Sequence, residues 1–324
     1  MTEFNSALSS YMYEMLEYRA ALGYSKKTYY YQLRSLDRFI SEKYPQATTI
    51  TQPMITDWLL PSPKDKLTTR KRRARIARIF SEYLNSVGID AYMVPKGYVN
   101  GKRSFKPLIL TDDELSDLFA QIDRIDNPAD DILKRATAAV MFRLIYTCGL
   151  RPGEALRLKK ENIDLATGEI HIVETKCKKE RIVVMSSDML ALMKRFTLQT
   201  VLFGRDSVYV FSNPDGEPYS SSWAQKIIKT CLRKANPDTP DEQLPRIRTY
   251  DLRHRFASAT LCRWLDDGKN LYNMLPYLRT YMGHNSLTDT ARYIHILPEN
   301  LLRSKGIDWR TVNSAIPEAE EWDD

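Results

Sequence analysis

The chain has little of what zinc proteins, secreted proteins and membrane proteins are built from. Only four cysteines occur in 324 residues (Cys148, Cys177, Cys231 and Cys262), and they are widely spaced. No CxxC pair and no Cys/His group with zinc spacing is present, which argues against a structural zinc and a disulfide framework and makes a reducing cytoplasm the expectation. The opening MTEFNSALSS lacks a basic start followed by an apolar stretch, so no signal peptide is expected. The longest apolar stretch, ATAAVMFRLIYTCGL, is broken by Arg143 and reads as a buried helix, not a membrane span. Internal repeats and low-complexity tracts are missing too, and no metal-binding carboxylate cluster accompanies the candidate site residues. What is there suffices for real cores: 43% of the residues are hydrophobic, and the length suggests two domains or one large one.

Acidic residues are scarce in one part only. Residues 1–108 hold 18 Lys and Arg against 9 Asp and Glu, out of chain totals of 48 and 41, leaving 30 and 32 for residues 109–324. The net charge of +7 is therefore carried by the N-terminal third, and a polyanionic partner is the simplest reading.

Helical periodicity runs over residues 4–22, 25–44 (with Ser25 as N-cap), 52–60 and 66–87. Leu33, Leu36, Phe39 and Ile40 form one apolar stripe, and Ile76, Ile79, Phe80, Tyr83 and Leu84 another. Four helices with short connections predict a small bundle over residues 1–92. The segment 93–108, with two prolines, two glycines and four cations, reads as a basic interdomain linker. A second, mixed α+β domain follows over 109–300. It opens on a capping box, Thr111 and Glu114, which makes Asp112 and Asp113 helix-start acids and not metal ligands. Helices are predicted over 129–148, 187–202, 221–235, 250–266, 270–282 and 288–297, and two strands, 169–174 and 180–185, flank a TKCKK turn. The fold class is mainly α with a small antiparallel sheet. Residues 301–324 form a tail whose last seven residues include five acids.

The chemistry-bearing residues come in order: Arg151 in CGLRPGE, Lys176 in the hairpin, Arg253 in YDLRHRF, His284 after Gly283, and Tyr293 in RYIHI. Two guanidinium groups, an amine, an imidazole and a phenol suit a phosphodiester attacked by tyrosine, with fixed cations in place of magnesium. Through these motifs the sequence resembles the tyrosine recombinases of the phage-integrase family, over about residues 111–297. The N-terminal bundle is similar in kind to the family's four-helix, SAM-like core-binding domain.

The resemblance implies roles. Tyr293 is the nucleophile that forms a 3′-phosphotyrosyl link. Arg151 and Arg253 hold the non-bridging oxygens, and Arg253 lies on an amphipathic helix with Leu252, Phe256 and Ala259 inward. Lys176 is the acid for the departing 5′ oxygen, with Lys178 and Lys179 as alternatives. His284 donates to phosphate, and Glu154 orients Arg151. Neither metal nor ATP nor any other cofactor is implied. One departure stands out. The family usually has His three residues before the second arginine, where this chain has Tyr250. A phenol with an ordinary pKa near ~10 is a poor base, so which group takes the proton from Tyr293 is open. His254 is expected in a supporting place behind the site. The segment between Arg253 and Gly283 is longer than in simple members, which favours movement of a mobile element.

For DNA grip the candidates are Lys66, Arg70, Lys71, Arg72, Arg73, Arg75 and Arg78 on one helix, with no acid between residues 66 and 78, and Lys102 and Arg103 in the linker. Lys26 and Lys27 are weaker ones. The resemblance also implies double-stranded DNA sites as partner, a homotetramer on paired sites with tail exchange, and accessory DNA-bending or directionality proteins. Two rival readings remain: the same chemistry used to relax or resolve DNA, and an inactive DNA-binding protein, to which Tyr250 alone points.

Overall fold

The computed structural model describes residues 3–62, 65–101, 107–129, 131–173 and 180–294, and the chain divides into two compact units, Met1–Phe105 and Lys106–Asp324.

The first unit holds four helices, α1 (Ser9–Ala21), α2 (Lys26–Lys43), α3 (Gln52–Leu59) and α4 (Leu67–Ser86). The predicted cap of α2 is present, with the Ser25 side chain accepting from the Thr28 N–H. Met12, Met15 and Leu16 meet Leu33, Leu36 and Ile40, Trp58, and Ile76, Phe80 and Leu84 in one core. Phe39, Ile79 and Tyr83 pack at its edge instead of inside it. The first helix starts five residues later than its periodicity suggests. The amides of Asn5 and Ser6 are taken by the two carboxylate oxygens of Asp37, both at 2.9 Å, which ties this segment to α2.

Among the described residues the second unit is mainly helical with one pair of antiparallel strands. Its helices are α5 (Asp112–Ile122), α6 (Lys134–Cys148), α7 (Pro152–Leu156), α8 (Ser187–Leu202), α9 (Ser221–Ala235), α10 (Asp251–Asp266), α11 (Leu271–Met282) and α12 (Leu287–Ala291). Strands β1 (Glu169–Ile172) and β2 (Arg181–Val184) pair antiparallel, Glu169 opposite Val184. The Thr111–Glu114 capping box closes as expected, with the carboxylate on the Thr111 N–H at 2.7 Å. α6 begins at Lys134, later than predicted, because the residues ahead of it serve other contacts. Asn127 Oδ1 accepts from the Arg135 N–H at 2.8 Å, and the Asp131 carboxylate pairs with Arg205 at 2.9 Å and with the Tyr219 hydroxyl. Val208–Phe211 makes only an isolated bridge to Lys159.

Two apolar clusters fill this unit. The larger joins α5, α6, α8, α9 and the hairpin. The smaller gathers Ala257, Leu261, Leu271, Leu275, Leu278 and Met282 with Tyr293 and Ile294. α10 runs between them, placing Leu252 in the larger cluster and Ala257 and Leu261 in the smaller. Its buried face is therefore wider than a single stripe, and Phe256 and Ala259, expected inward, are half-buried. Among the described residues no helix is long and apolar enough to cross a membrane.

Candidate active site

Two helix C-termini converge on the site. α6 stops at Gly149 (φ 60°) and α11 at Gly283 (φ 64°), both left-handed, a conformation that costs glycine nothing. At Gly149 space demands it as well, since a Cβ there would lie 2.4 Å from the Phe256 ring. The last carbonyls of a helix lack partners within it, and here arginines supply them. Arg253 donates from Nη1 to the Gly149 carbonyl at 2.7 Å and from Nη2 to the Met282 carbonyl at 2.6 Å. Arg151 Nη2 donates to the Gly283 carbonyl at 2.6 Å, and Arg181 Nε to the Tyr281 carbonyl at 2.9 Å. The partial negative charge of helix C-termini is what makes three clustered cations tolerable.

Glu154 links two of them. One oxygen accepts from Arg151 Nη1 at 2.7 Å and Arg181 Nη1 at 3.0 Å, the other from Arg181 Nη2 and the Arg151 N–H at 2.7 and 2.8 Å. Burial alone would push the carboxyl up. The hydrogen bonds and charge of Arg181, with those of Arg151, overcome this and hold it at about 2. Burial likewise works against the charge of Arg151, and Glu154 more than restores it.

Among the described residues Arg253 is the largest fully buried side chain, at 0% exposure. Burial, the largest cause, draws its pKa down, yet a guanidinium stays charged in proteins. Two of its nitrogens hold the helix ends, and its buried Nε has no hydrogen-bond partner. An orphaned buried donor costs about 1–3 kcal/mol, which an oxygen of a bound anion would recover.

Tyr293 lies just beyond α12, at 4% exposure. Burial raises its pKa strongly, with Arg253 opposing, so the side chain is a neutral phenol. Its hydroxyl is 3.0 Å from Nδ1 of His254. His254 was expected behind the site, and the structure corrects this: the turn from Arg253 to the next residue of α10 carries its ring directly to the tyrosine. The His284 ring lies parallel to that of Tyr293 (13°, centroids 6.0 Å apart), with its own Nδ1 2.8 Å from the Thr290 hydroxyl. Both imidazoles are held neutral. Burial, then Arg248 and Arg253, lowers His254 to about 4; burial, then Arg253, Arg151 and Arg181, lowers His284 to about 3. The Tyr250 ring sits 4.9 Å from that of His254 and 5.9 Å from the Arg253 guanidinium carbon.

Arg151, Glu154, Tyr250, Arg253, His254, His284 and Tyr293 thus come together. Lys176, Lys178 and Lys179 lie outside the described residues, as do Lys102 and Arg103. Arg181 was missed by sequence reasoning. Its signal was an arginine in register with buried Val183 on an alternating strand, where a cation needs an acceptor. Arg255 pairs with Asp112, away from the site.

In the first unit the basic helix divides. Arg70 bonds the Leu59 carbonyl at 3.3 Å, Arg73 the Asp65 carboxylate at 2.6 Å, and Arg78 the Val94 carbonyl at 3.0 Å, so these three also brace loops of their own unit. Lys66, Arg72 and Arg75 are exposed, and Lys71 is half-buried. Lys26 pairs with Glu17.

Residues 109–300 match the model described as "Phage integrase family". A Sinorhizobium fredii protein described as an integrase/recombinase is 28% identical over 302 residues, covering 91% of this chain and 93% of that one. The tyrosine recombinase XerC of Staphylococcus saprophyticus is 22% identical over 301 residues, with coverages of 90% and 93%. The crystal structure of the XerH site-specific recombinase bound to palindromic difH substrate has a TM-score of 0.65 at 21% identity, covering 85% of this chain and 77% of that one. The Tn1549 transposon integrase in complex with transposon right-end DNA gives 0.61 at 15% identity, covering 91% and 98%.

Proposed function

Because the chain belongs to the phage integrase family, we propose that it is a tyrosine site-specific DNA recombinase. Tyr293 attacks the scissile phosphate, a 3′-phosphotyrosyl link forms, and the 5′ hydroxyl departs. Arg151 and Arg253 bind the non-bridging oxygens, where charge grows in the transition state, and Glu154 aims Arg151. His284 and Tyr250 border the same phosphate. Lys176 protonates the leaving oxygen. A 5′ hydroxyl from a second duplex then reverses the step, and the bond energy stored in the protein–DNA link makes ATP unnecessary.

The observation that carries this reading is Arg253: a fully desolvated guanidinium with a partnerless Nε, beside a buried tyrosine hydroxyl. A phosphodiester oxygen beside it would accept that donor and balance the buried charge. The exposed cations at the start and along α4, Lys66, Arg72 and Arg75, supply the grip on the duplex. The work is movement of a mobile element. Supporting this are the relative described as an integrase/recombinase and the length of the segment between Arg253 and Gly283. The active form is a homotetramer on paired sites, in the cytoplasm with the chromosome.

The test is incubation with nicked duplexes carrying candidate element ends, followed by a search for an SDS-resistant adduct. The adduct is expected with wild type and absent with Tyr293→Phe. Tight binding without an adduct across all candidate ends would favour the inactive-binder reading to which Tyr250 points.

A further inference from the structure

The position from which the family draws its histidine holds a tyrosine here, and a phenol stays protonated at neutral pH and takes up no further proton. A tyrosine nucleophile nevertheless needs an acceptor for its proton, and few stand near it among the described residues. The guanidinium groups of Arg151 and Arg253 donate only. His284 has its Nδ1 on the Thr290 hydroxyl at 2.8 Å and stacks parallel to the Tyr293 ring, which turns the ring's face and not its edge to the tyrosine. His254 is different. Its Nδ1 is 3.0 Å from the Tyr293 oxygen, with ring centroids 5.5 Å apart at 53°, the tilted approach that lets a ring nitrogen meet a hydroxyl. That distance is within the reach a general base requires.

We propose that His254 is the catalytic base of this recombinase, taking the proton of the Tyr293 hydroxyl on its Nδ1 in the place left by Tyr250. The inference rests on the recombinase reading and names a residue for a step that reading leaves open. In the step, the Tyr293 O–H proton passes to Nδ1 and the oxygen's electron pair forms the O–P bond. The bond from phosphorus to the 5′ oxygen breaks with its pair going to that oxygen, which is protonated by the acid assigned to Lys176. His254 becomes an imidazolium and returns the proton to Tyr293 when a 5′ hydroxyl reseals the strand.

The surroundings fit an acceptor. Charged and titratable groups facing His254 are Arg248, Arg253, Tyr250, Tyr293 and His284. With burial, the two cations keep the imidazole neutral, so a nitrogen lone pair is present at working pH. The same cations disfavour the imidazolium until a phosphate brings negative charge between them. The base therefore gains strength only when DNA is in place.

The experiment uses the full chain on nicked duplexes under single-turnover conditions, comparing wild type with His254→Asn. Asparagine keeps a hydrogen-bonding atom near the position of Nδ1 but takes up no proton. Cleavage should fall by about 10²–10⁴-fold, the usual share of a general base, with DNA affinity within threefold of wild type. The second arm replaces Tyr293 by a fluorinated tyrosine whose hydroxyl ionises near neutrality. With that nucleophile the penalty of His254→Asn should shrink at least tenfold, because the proton is held far less tightly. An equal penalty with both nucleophiles would assign His254 a structural role and overturn the proposal. So would a His254→Asn enzyme within threefold of an active wild type. A wild type that forms no adduct would remove the recombinase reading itself, and the inference with it.

Discussion

Glu154→Gln is the substitution that most directly probes how the site is held. It keeps the shape of the side chain and removes one negative charge from between Arg151 and Arg181. The carboxylate accepts four hydrogen bonds of 2.7–3.0 Å, two on each oxygen. An amide can accept only on its single oxygen, so its nitrogen would face donors. The loss follows from the titration. The carboxyl is brought from 4.5 to about 2 against the cost of burial, which corresponds to roughly 3 kcal/mol favouring the charged form. A unit of this size loses about 2–4 °C of Tm per kcal/mol. The expected fall at pH 7 is therefore on the order of 6–12 °C by differential scanning fluorimetry, and the SDS-resistant adduct should drop at least tenfold as Arg151 loses its support. The pH dependence gives the sharper test. A carboxyl with a depressed folded pKa contributes stability that is complete above its unfolded value and disappears as pH falls through the folded one. The gap between wild type and Glu154→Gln should therefore be constant from pH 7 to about 5 and narrow between about 4.5 and 2. A Tm within 2 °C of wild type at pH 7, or a gap that stays constant into acid, would refute the reasoning.

Three other outcomes follow from the same geometry. His254 and His284 are buried neutral at about 4 and about 3 against an ordinary 6.5. The unfolded chain thus binds more protons below about 6.5, and stability should fall as pH drops from there through about 4 and 3, by up to ~1.4 kcal/mol per pH unit for each histidine; urea unfolding at pH 7.5 and 5 that gives equal stabilities would contradict this. Arg181→Lys keeps the charge but cannot hold both Glu154 oxygens and the Tyr281 carbonyl together; a lowered Tm and a tenfold smaller adduct yield are expected, and wild-type values for both would show that the fork is dispensable. Arg72→Ala on the exposed side of α4 should flatten the slope of log K against log salt by about 1 with Tm unchanged; a slope equal to that of wild type, measured by fluorescence anisotropy, would remove Arg72 from the DNA surface.

Features that depend on near neighbours were legible in the sequence. The Ser25 cap, the Thr111–Glu114 box, the four N-terminal helices and the hairpin all follow from spacing within a few residues, and the structure has each of them. The separate motifs carrying Arg151, Arg253, His284 and Tyr293 could be set in order, and the fold draws them together. Contacts across long stretches of chain escaped. Asp37 holding the start of the chain, 31 and 32 residues back, leaves no periodic trace. Arg181 reaches a carbonyl 100 residues away, and nothing in RIVV announces which. His254 is expected behind the site because it stands one position off the pattern around Arg253. That α10 is covered on two faces, so that neighbouring positions both turn inward, is a property of packing and not of the segment.

The three arginines lean on main-chain oxygens, those of Gly149, Tyr281, Met282 and Gly283. A backbone acceptor cannot be mutated away; it can only be displaced. What substitution can alter in this frame is the arginines themselves, Glu154 and the two glycines that end the helices, besides Tyr293 and the two imidazoles set against it.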